Sequence, residues 1–345
     1  MKPVVAWFWK ILFLLVVVAL LLCGLLLAWA ESWKADTLAA LADGAGVVET
    51  KVGPQQYVLR DEGPPVLIVH GAGGGYDQAI ALADAMPWEG VQIIAPSRPG
   101  YLGTPLASTL LPEQQADAFA ALLDELKVEQ VTVLGFAEGA PAAILFASRH
   151  PARTEKLVLI SGLYERIKQP HEVEERPLPE KILNTLGGDV TSALVGWAVK
   201  NHPDLSLPEA ISFFYAGTQP QNLARFVLGD PSQTSDFQAF LLAMVPISAR
   251  EVGLRNDILQ LKNLPPLPLA NISVPTLIVH GSADPLQSAE GARAAAAKIR
   301  GATYLGVEGS GHLPWLGPDS ARAGAAIANF VIPTAEAAVT PPPVD

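Results

Sequence analysis

The chain has 345 residues, 50% of them hydrophobic and 17% charged, with a formal net charge of −11. That length leaves room for one large α/β domain with an insertion, and an acidic balance without a Lys/Arg cluster argues against binding to a nucleic-acid phosphate backbone. The single cysteine, Cys23, excludes an intramolecular disulfide and a cysteine-based metal site.

Ile11 to Ala30 is an uninterrupted apolar run of about twenty residues, the length a helix needs to cross a bilayer. Lys2 and Lys10 precede it, and Glu31, Lys34 and Asp36 follow. The positive-inside bias therefore places the N-terminus in the cytoplasm and the remainder, including any catalytic domain, on the non-cytoplasmic side. Ala28-Trp29-Ala30 also fits a signal-cleavage pattern, so the alternative is a secreted protein cut after Ala30. Ser32 to Ala42 reads as a short amphipathic helix. Val47 to Thr50 and Gln56 to Arg60 read as strands around the Gly53-Pro54 turn.

From Pro65 onward strands and helices alternate. Pro65 to His70 is a buried-type strand that runs into Gly71-Ala72-Gly73-Gly74-Gly75, and Tyr76 to Met86 is helical by pattern. Val91 to Ala95 is the next strand, ending in Pro96-Ser97-Arg98-Pro99-Gly100-Tyr101, which reads as a structural turn. Pro112 to Leu126 has apolar residues at helical spacing. Val131 to Leu134 is a β-branched run that breaks at Gly135 and restarts as a small-residue helix from Glu138, and Leu157 to Ser161 is a further strand. Strands each followed by a helix imply a parallel sheet with right-handed crossovers. The glycine loop does not match the G-x-G-x-x-G spacing of a dinucleotide site.

The alternation then stops. Tyr164 to about Ile272 is helical in pattern and punctuated by prolines, with Trp197, Phe213, Phe214, Tyr215, Phe237, Phe240 and Met244 as candidates for a pocket roof. The sheet resumes at Pro275 to His280, followed by Gly281-Ser282-Ala283-Asp284-Pro285. Helix Ala289 to Ile299, strand Thr303 to Val307, the loop Gly309-Ser310-Gly311-His312-Leu313-Pro314-Trp315 and a helix Ser320 to Phe330 complete the core. The tail from Pro333 reads as disordered.

Strand, sharp turn and helix in Val131 to Phe146 resemble the nucleophile elbow G-x-S-x-G of the α/β-hydrolase superfamily, particularly its capped esterase- and lipase-like members. Gly135 and Gly139 keep the frame, and Ala137 stands where the serine is expected. Asp284 in G-x-x-D and His312 in G-x-G-H follow in the order nucleophile, acid, histidine. The resemblance covers residues about 47 to 331 and implies a mostly parallel eight-stranded sheet with helices on both faces and a helical cap insertion, to which the apolar run adds an N-terminal transmembrane helix. The implied organisation is an anchor or signal segment at 1–31, core at 32–163, cap at 164–272, core again at 273–332 and a tail at 333–345.

The resemblance further implies catalytic positions at Ala137, Asp284 and His312, and an oxyanion hole from the backbone amides of Ala72, Gly73 and Glu138. His70, Tyr76, Phe136, Trp197, Phe214 and Leu313 are pocket candidates. No metal and no cofactor is expected, because ligand spacings for neither appear. The expected partners are the membrane and a small apolar ester or acyl compound, with no nucleic acid. Three readings of Ala137 stand open: an otherwise ordinary serine hydrolase that has lost its nucleophile, a binding protein on the same frame, or base chemistry needing only the His–Asp pair.

Overall fold

A computed structural model describes residues 2–106, 110–166 and 188–332. The tail from Pro333 and the early cap prolines Pro170, Pro177 and Pro179 lie outside the described residues. The first element is a single helix, α1 (Lys2–Asp43), which joins the apolar run and the Ser32 to Ala42 segment without a break. No proline or glycine pair interrupts the sequence between them, so nothing ends the helix at Ala30. Its N-terminal part, from Trp7, is exposed and long and apolar enough to cross a membrane. From Ala30 on, one stripe (Ala30, Trp33, Lys34, Thr37, Leu38, Leu41) is buried or half-buried, the spacing of a helix packed along one face.

The core is an eight-stranded sheet. Its strands are β1 (Gly46–Thr50), β2 (Gly53–Arg60), β3 (Pro65–Val69), β4 (Gln92–Pro96), β5 (Val131–Phe136), β6 (Thr154–Ile160), β7 (Thr276–Gly281) and β8 (Thr303–Val307). Their order is β1-β2-β4-β3-β5-β6-β7-β8. β2 is antiparallel to both its neighbours, and from β4 to β8 every pairing is parallel. The central strands read as unbroken apolar runs because both faces are covered. Alternate residues feed two cores: Val66, Ile68, Leu134, Phe136, Val158 and Ile160 on one face, and Leu67, Val69, Val133, Leu157, Leu159 and Ile278 on the other. Helices α2 (Tyr76–Asp84) and α11 (Ser320–Val331) cover the first face. Helices α3 (Pro112–Glu125), α4 (Ala140–Arg149) and α10 (Ala289–Lys298) cover the second.

Between β6 and β7 the cap contributes α5 (Gly188–Asn201), α6 (Pro203–Phe214), α7 (Pro220–Gly229), α8 (Pro231–Leu242) and α9 (Glu251–Asn263). Pro203, Pro220 and Pro231 each open a helix at its first position, where a missing N–H costs nothing and a fixed φ helps. The Asp230 carboxylate caps α8 by accepting from the amides of Ser232 and Gln233. Phe237 and Phe240 of α8 enter the first core, so the cap is continuous with the body of the domain.

Two arginine–aspartate pairs, one buried and one half-buried, fasten the cap to the loops around the glycine segment. Arg98 meets Asp257 of α9 through Nη1–Oδ2 at 2.9 Å and Nη2–Oδ1 at 2.5 Å. Arg250, just before α9, meets Asp77 of α2 at 3.0 and 2.7 Å. Neither arginine was singled out as a clamp by sequence, since the partners are more than 150 residues away.

Phe146 of α4 is fully buried in the second core. Phe146→Ala is expected to lower unfolding free energy by about 3–5 kcal/mol, read as a shift in the urea midpoint with an unchanged slope. Asp257→Ala leaves the Arg98 charge buried and unpaired, so it is expected to cost about 3–5 kcal/mol and to speed proteolysis within the cap. Asp117→Ala, which breaks the exposed Arg149 pair, is expected to cost about 1 kcal/mol or less in the same assay.

Candidate active site

The centre of the site is the turn between β5 and α4. A Cβ on Gly135 would lie 2.7 Å from the Ala143 methyl and 2.9 Å from Ala140 Cα, and one on Gly139 would lie 2.4 Å from the carbonyl oxygens of Val69 and His70. Only glycine allows strand and helix to approach this closely. The residue between them, Ala137, is held at φ 48° and is almost wholly buried. A left-handed conformation costs a non-glycine residue about 1–2 kcal/mol, and the packing on either side holds it there.

His312 reaches the same end of the sheet from the loop after β8. Its Nδ1 lies 2.9 Å from Asp284 Oδ2, and its ring centroid lies 5.2 Å from that of Phe136, the residue preceding Ala137. Among the described residues no hydrogen bond engages its Nε2. The Asp284 carboxylate is buried, and its Oδ1 accepts from the amides of Leu286 and Gln287 at 2.8 and 3.0 Å. Burial by itself would raise its pKa, but the charge of His312 and hydrogen bonds from His280 and His312 outweigh it and hold the carboxyl well below the usual range. His280, which carried no role in the sequence, is fully buried with Nε2 3.3 Å from the same Oδ2. Its Nδ1 is buried with no hydrogen-bond partner among the described residues.

The glycine loop sits opposite. His70 Nδ1 donates to the Gly71 carbonyl at 2.7 Å, and Nε2 accepts from the Arg98 amide at 2.9 Å. Burial, with the Arg98 charge added, pushes its pKa well below 6.5 and keeps the ring neutral. The Ala72 amide donates to Glu138 Oε2 at 3.0 Å, while Glu138 Oε1 accepts from Gln287 Nε2 at 2.9 Å. The Gly73 amide approaches the Tyr101 hydroxyl at 3.4 Å, and that hydroxyl donates to Asp257. Sequence gave Glu138 a role through its backbone; the carboxylate proves to tie the elbow, the glycine loop and the acid loop together.

Aromatic rings close the space around the imidazole. Phe214, at the end of α6, lies nearly parallel to it at 6.2 Å, and its carbonyl accepts from the His312 amide at 2.7 Å. Phe240 stands 5.8 Å from Phe136 and 5.7 Å from Phe214, and Trp315 lies 5.3 Å from Phe136. Leu313 is buried beside them. Tyr76 instead donates its hydroxyl to the Leu41 carbonyl at the end of α1, and exposed Trp197 packs at a tilt against His202. Those two pocket candidates are therefore placed away from His312. Among the described residues, no group of three or more His, Cys, Asp or Glu side chains is arranged to hold a metal.

A profile of the Alpha/beta hydrolase family matches residues 66–326. The chain belongs to that family. Its relatives include the uncharacterized hydrolase YcgS of Bacillus subtilis, 28% identical over 289 residues that cover 81% of this chain and 95% of the relative. Among solved structures, an alpha/beta hydrolase fold protein from Nakamurella multipartita superposes with a TM-score of 0.77 at 29% identity, covering 83% of this chain and 98% of the other. A thermophilic esterase from Thermogutta terrifontis is similar in fold, with a TM-score of 0.58, 20% identity and coverage of 83% and 97%. The alpha/beta hydrolase assignment thus rests on sequence and fold together.

The His70 ring supplies a pH test. In the unfolded chain it takes up a proton below pH about 6.5, whereas the folded chain resists that uptake. Stability is therefore full above that value and falls as the pH drops below it. The C2 proton resonance of His70 is expected to stay that of a neutral imidazole as the pH falls through about 6.5 while the fold persists, and the thermal midpoint is expected to fall below that pH.

Proposed function

We propose that this is the site of a serine-type carboxylic-ester hydrolase in which Ala137 occupies the nucleophile position, so that the chain as it stands turns esters over slowly or not at all. The observation that carries the reading is the left-handed backbone at Ala137 beside a histidine braced by Asp284. An alanine gains nothing locally from φ 48°, whereas a nucleophile on such a turn projects above the sheet.

With a hydroxyl at 137, His312 would take its proton through Nε2 while Asp284 fixed the tautomer and stabilised the imidazolium. The serine oxygen would attack the ester carbonyl, and the amides of Glu138 and the glycine loop would receive the oxyanion. His312 would then protonate the departing alcohol, and water would release the acid by the reverse sequence. A methyl group can form no acyl-enzyme. Loss of the serine in such a triad costs on the order of 10⁶ in turnover, or about 8 kcal/mol.

One observation favours a second reading, a small-molecule binding protein that does no turnover: the Ala72 amide is already engaged by the Glu138 carboxylate. The rings of Phe136, Phe214, Phe240 and Trp315 make the surroundings of His312 apolar, which favours an apolar acyl ligand in either case. We read α1 as a retained anchor with its N-terminus in the cytoplasm, supported by Lys2 and Lys10 and by the unbroken helix through Ala28-Trp29-Ala30.

The experiment compares the full chain with Ala137→Ser on short p-nitrophenyl esters. Ala137→Ser is expected to raise kcat by several orders of magnitude, toward the ~10⁶ set by the lost nucleophile, and His312→Ala in the same background is expected to remove the gain. A folded Ala137→Ser protein with no esterase activity would sink the hydrolase reading in favour of the binder.

A further inference from the structure

The outer face of the cap carries apolar side chains that are left exposed among the described residues. On α5 these are Leu194, Val195 and Trp197, and on α6 they are Leu205 and Phe213, with Leu205 69% exposed. What lies next to them is set by α1. Its exposed apolar length ends where burial begins, at Ala30, and the helix it packs against from there on is α5. Lys34 Nζ pairs with Asp189 in the first turn of α5 at 2.7 Å, and the Trp33 indole fills the space above Gly196 two turns later. Helical side chains slant toward their own N-terminus, so Trp33 carries this contact toward the apolar end of α1. The cap face is thus continuous with the segment read as spanning the bilayer.

We infer that the outer face of α5 and α6 lies in the headgroup–acyl boundary of the same bilayer that α1 crosses. The aliphatic and aromatic groups suit the apolar side of that boundary, the exposed Lys200, Asp204 and Glu209 of the same two helices suit its headgroup side, and the amphipathic Trp197 indole packs at a tilt against His202 at the turn between the helices. The inference rests on α1 being retained as an anchor.

The arrangement has a consequence for the site. α6 runs from Leu205 near its start to Phe214 at its end, about 14 Å at 1.5 Å per residue. Phe214 stacks on the His312 imidazole, and exposed Phe213 packs edge-on against Phe214 with centroids 5.0 Å apart. One helix therefore joins the lipid-facing surface to the imidazole. An acyl compound dissolved in the bilayer would meet the cap before it met bulk water.

The test uses the full-length chain in vesicles of phosphatidylethanolamine and phosphatidylglycerol. Single cysteines are placed by Leu194→Cys, Leu205→Cys and Phe213→Cys in a Cys23→Ser background, each labelled with a nitrobenzoxadiazole fluorophore. Leu59→Cys on β2, also exposed, serves as a control away from the cap, and the label on native Cys23 reports the anchor. Labels at 194, 205 and 213 are expected to emit at shorter wavelength than that at 59, to lose intensity to nitroxide-bearing lipids and to resist iodide. If all three behave like the label at 59 while the Cys23 label is quenched by lipid, the cap inference is overturned and the anchor reading stands. If the Cys23 label is also open to iodide and insensitive to lipid nitroxides, both fall.

Discussion

Close packing between β5, α4 and the end of β3 leaves no volume for a side chain at positions 135 and 139, and the rest of the site depends on that contact. It forces the chain through a turn so tight that residue 137 takes a left-handed backbone, and it brings the glycine loop against the elbow. The same turn puts Phe136 beneath His312 and the Glu138 carboxylate within reach of the Ala72 amide and Gln287. A larger residue at either glycine would separate strand from helix and move all of these groups together. These contacts hold the left-handed conformation with a methyl side chain at residue 137.

The polar groups around this turn form a single connected arrangement. Asp284 accepts from two backbone amides and faces two imidazoles, so its charge is stabilised despite complete burial of the side chain. Arg98 holds the neutral His70 from one side through its amide, and through its guanidinium it holds Asp257 of the cap. Arg250 and Asp77 do the same on the other flank of the glycine loop. Buried ion pairs of this kind add little net stability over an apolar replacement, but they fix which loop meets which helix. Here they set the cap over the glycine loop, and the Phe214 carbonyl completes the closure at His312.

The apolar side of the arrangement has a different logic. α1 changes character at Ala30, from a helix exposed all round to one packed along a stripe, without any break in its hydrogen bonding. A continuous helix transmits direction, so the orientation of the domain relative to the apolar segment is set by the α1–α5 contact rather than by a flexible linker. Tyr76 contributes a second tether by bonding the Leu41 carbonyl from α2.

The alternation of strands and helices from Pro65, the glycine-framed turn at 137 and the chain order of Asp284 and His312 were all legible in the sequence. They are local patterns: periodicity, a required absence of side chains, and a short polar motif after an apolar strand. The apolar run at Ile11 to Ala30 was legible for the same reason. The tertiary structure alone decided that Phe214 and Phe240 come to the imidazole while Trp197 turns outward, since all three look alike in a helical cap. It also decided that His280 shares the Asp284 carboxylate, that Asp257 and Asp77 hold Arg98 and Arg250, and that the Glu138 carboxylate meets the Ala72 amide. Each of these joins residues through space in a way that no local spacing encodes, because a side chain's partner is fixed by where the packed elements bring it.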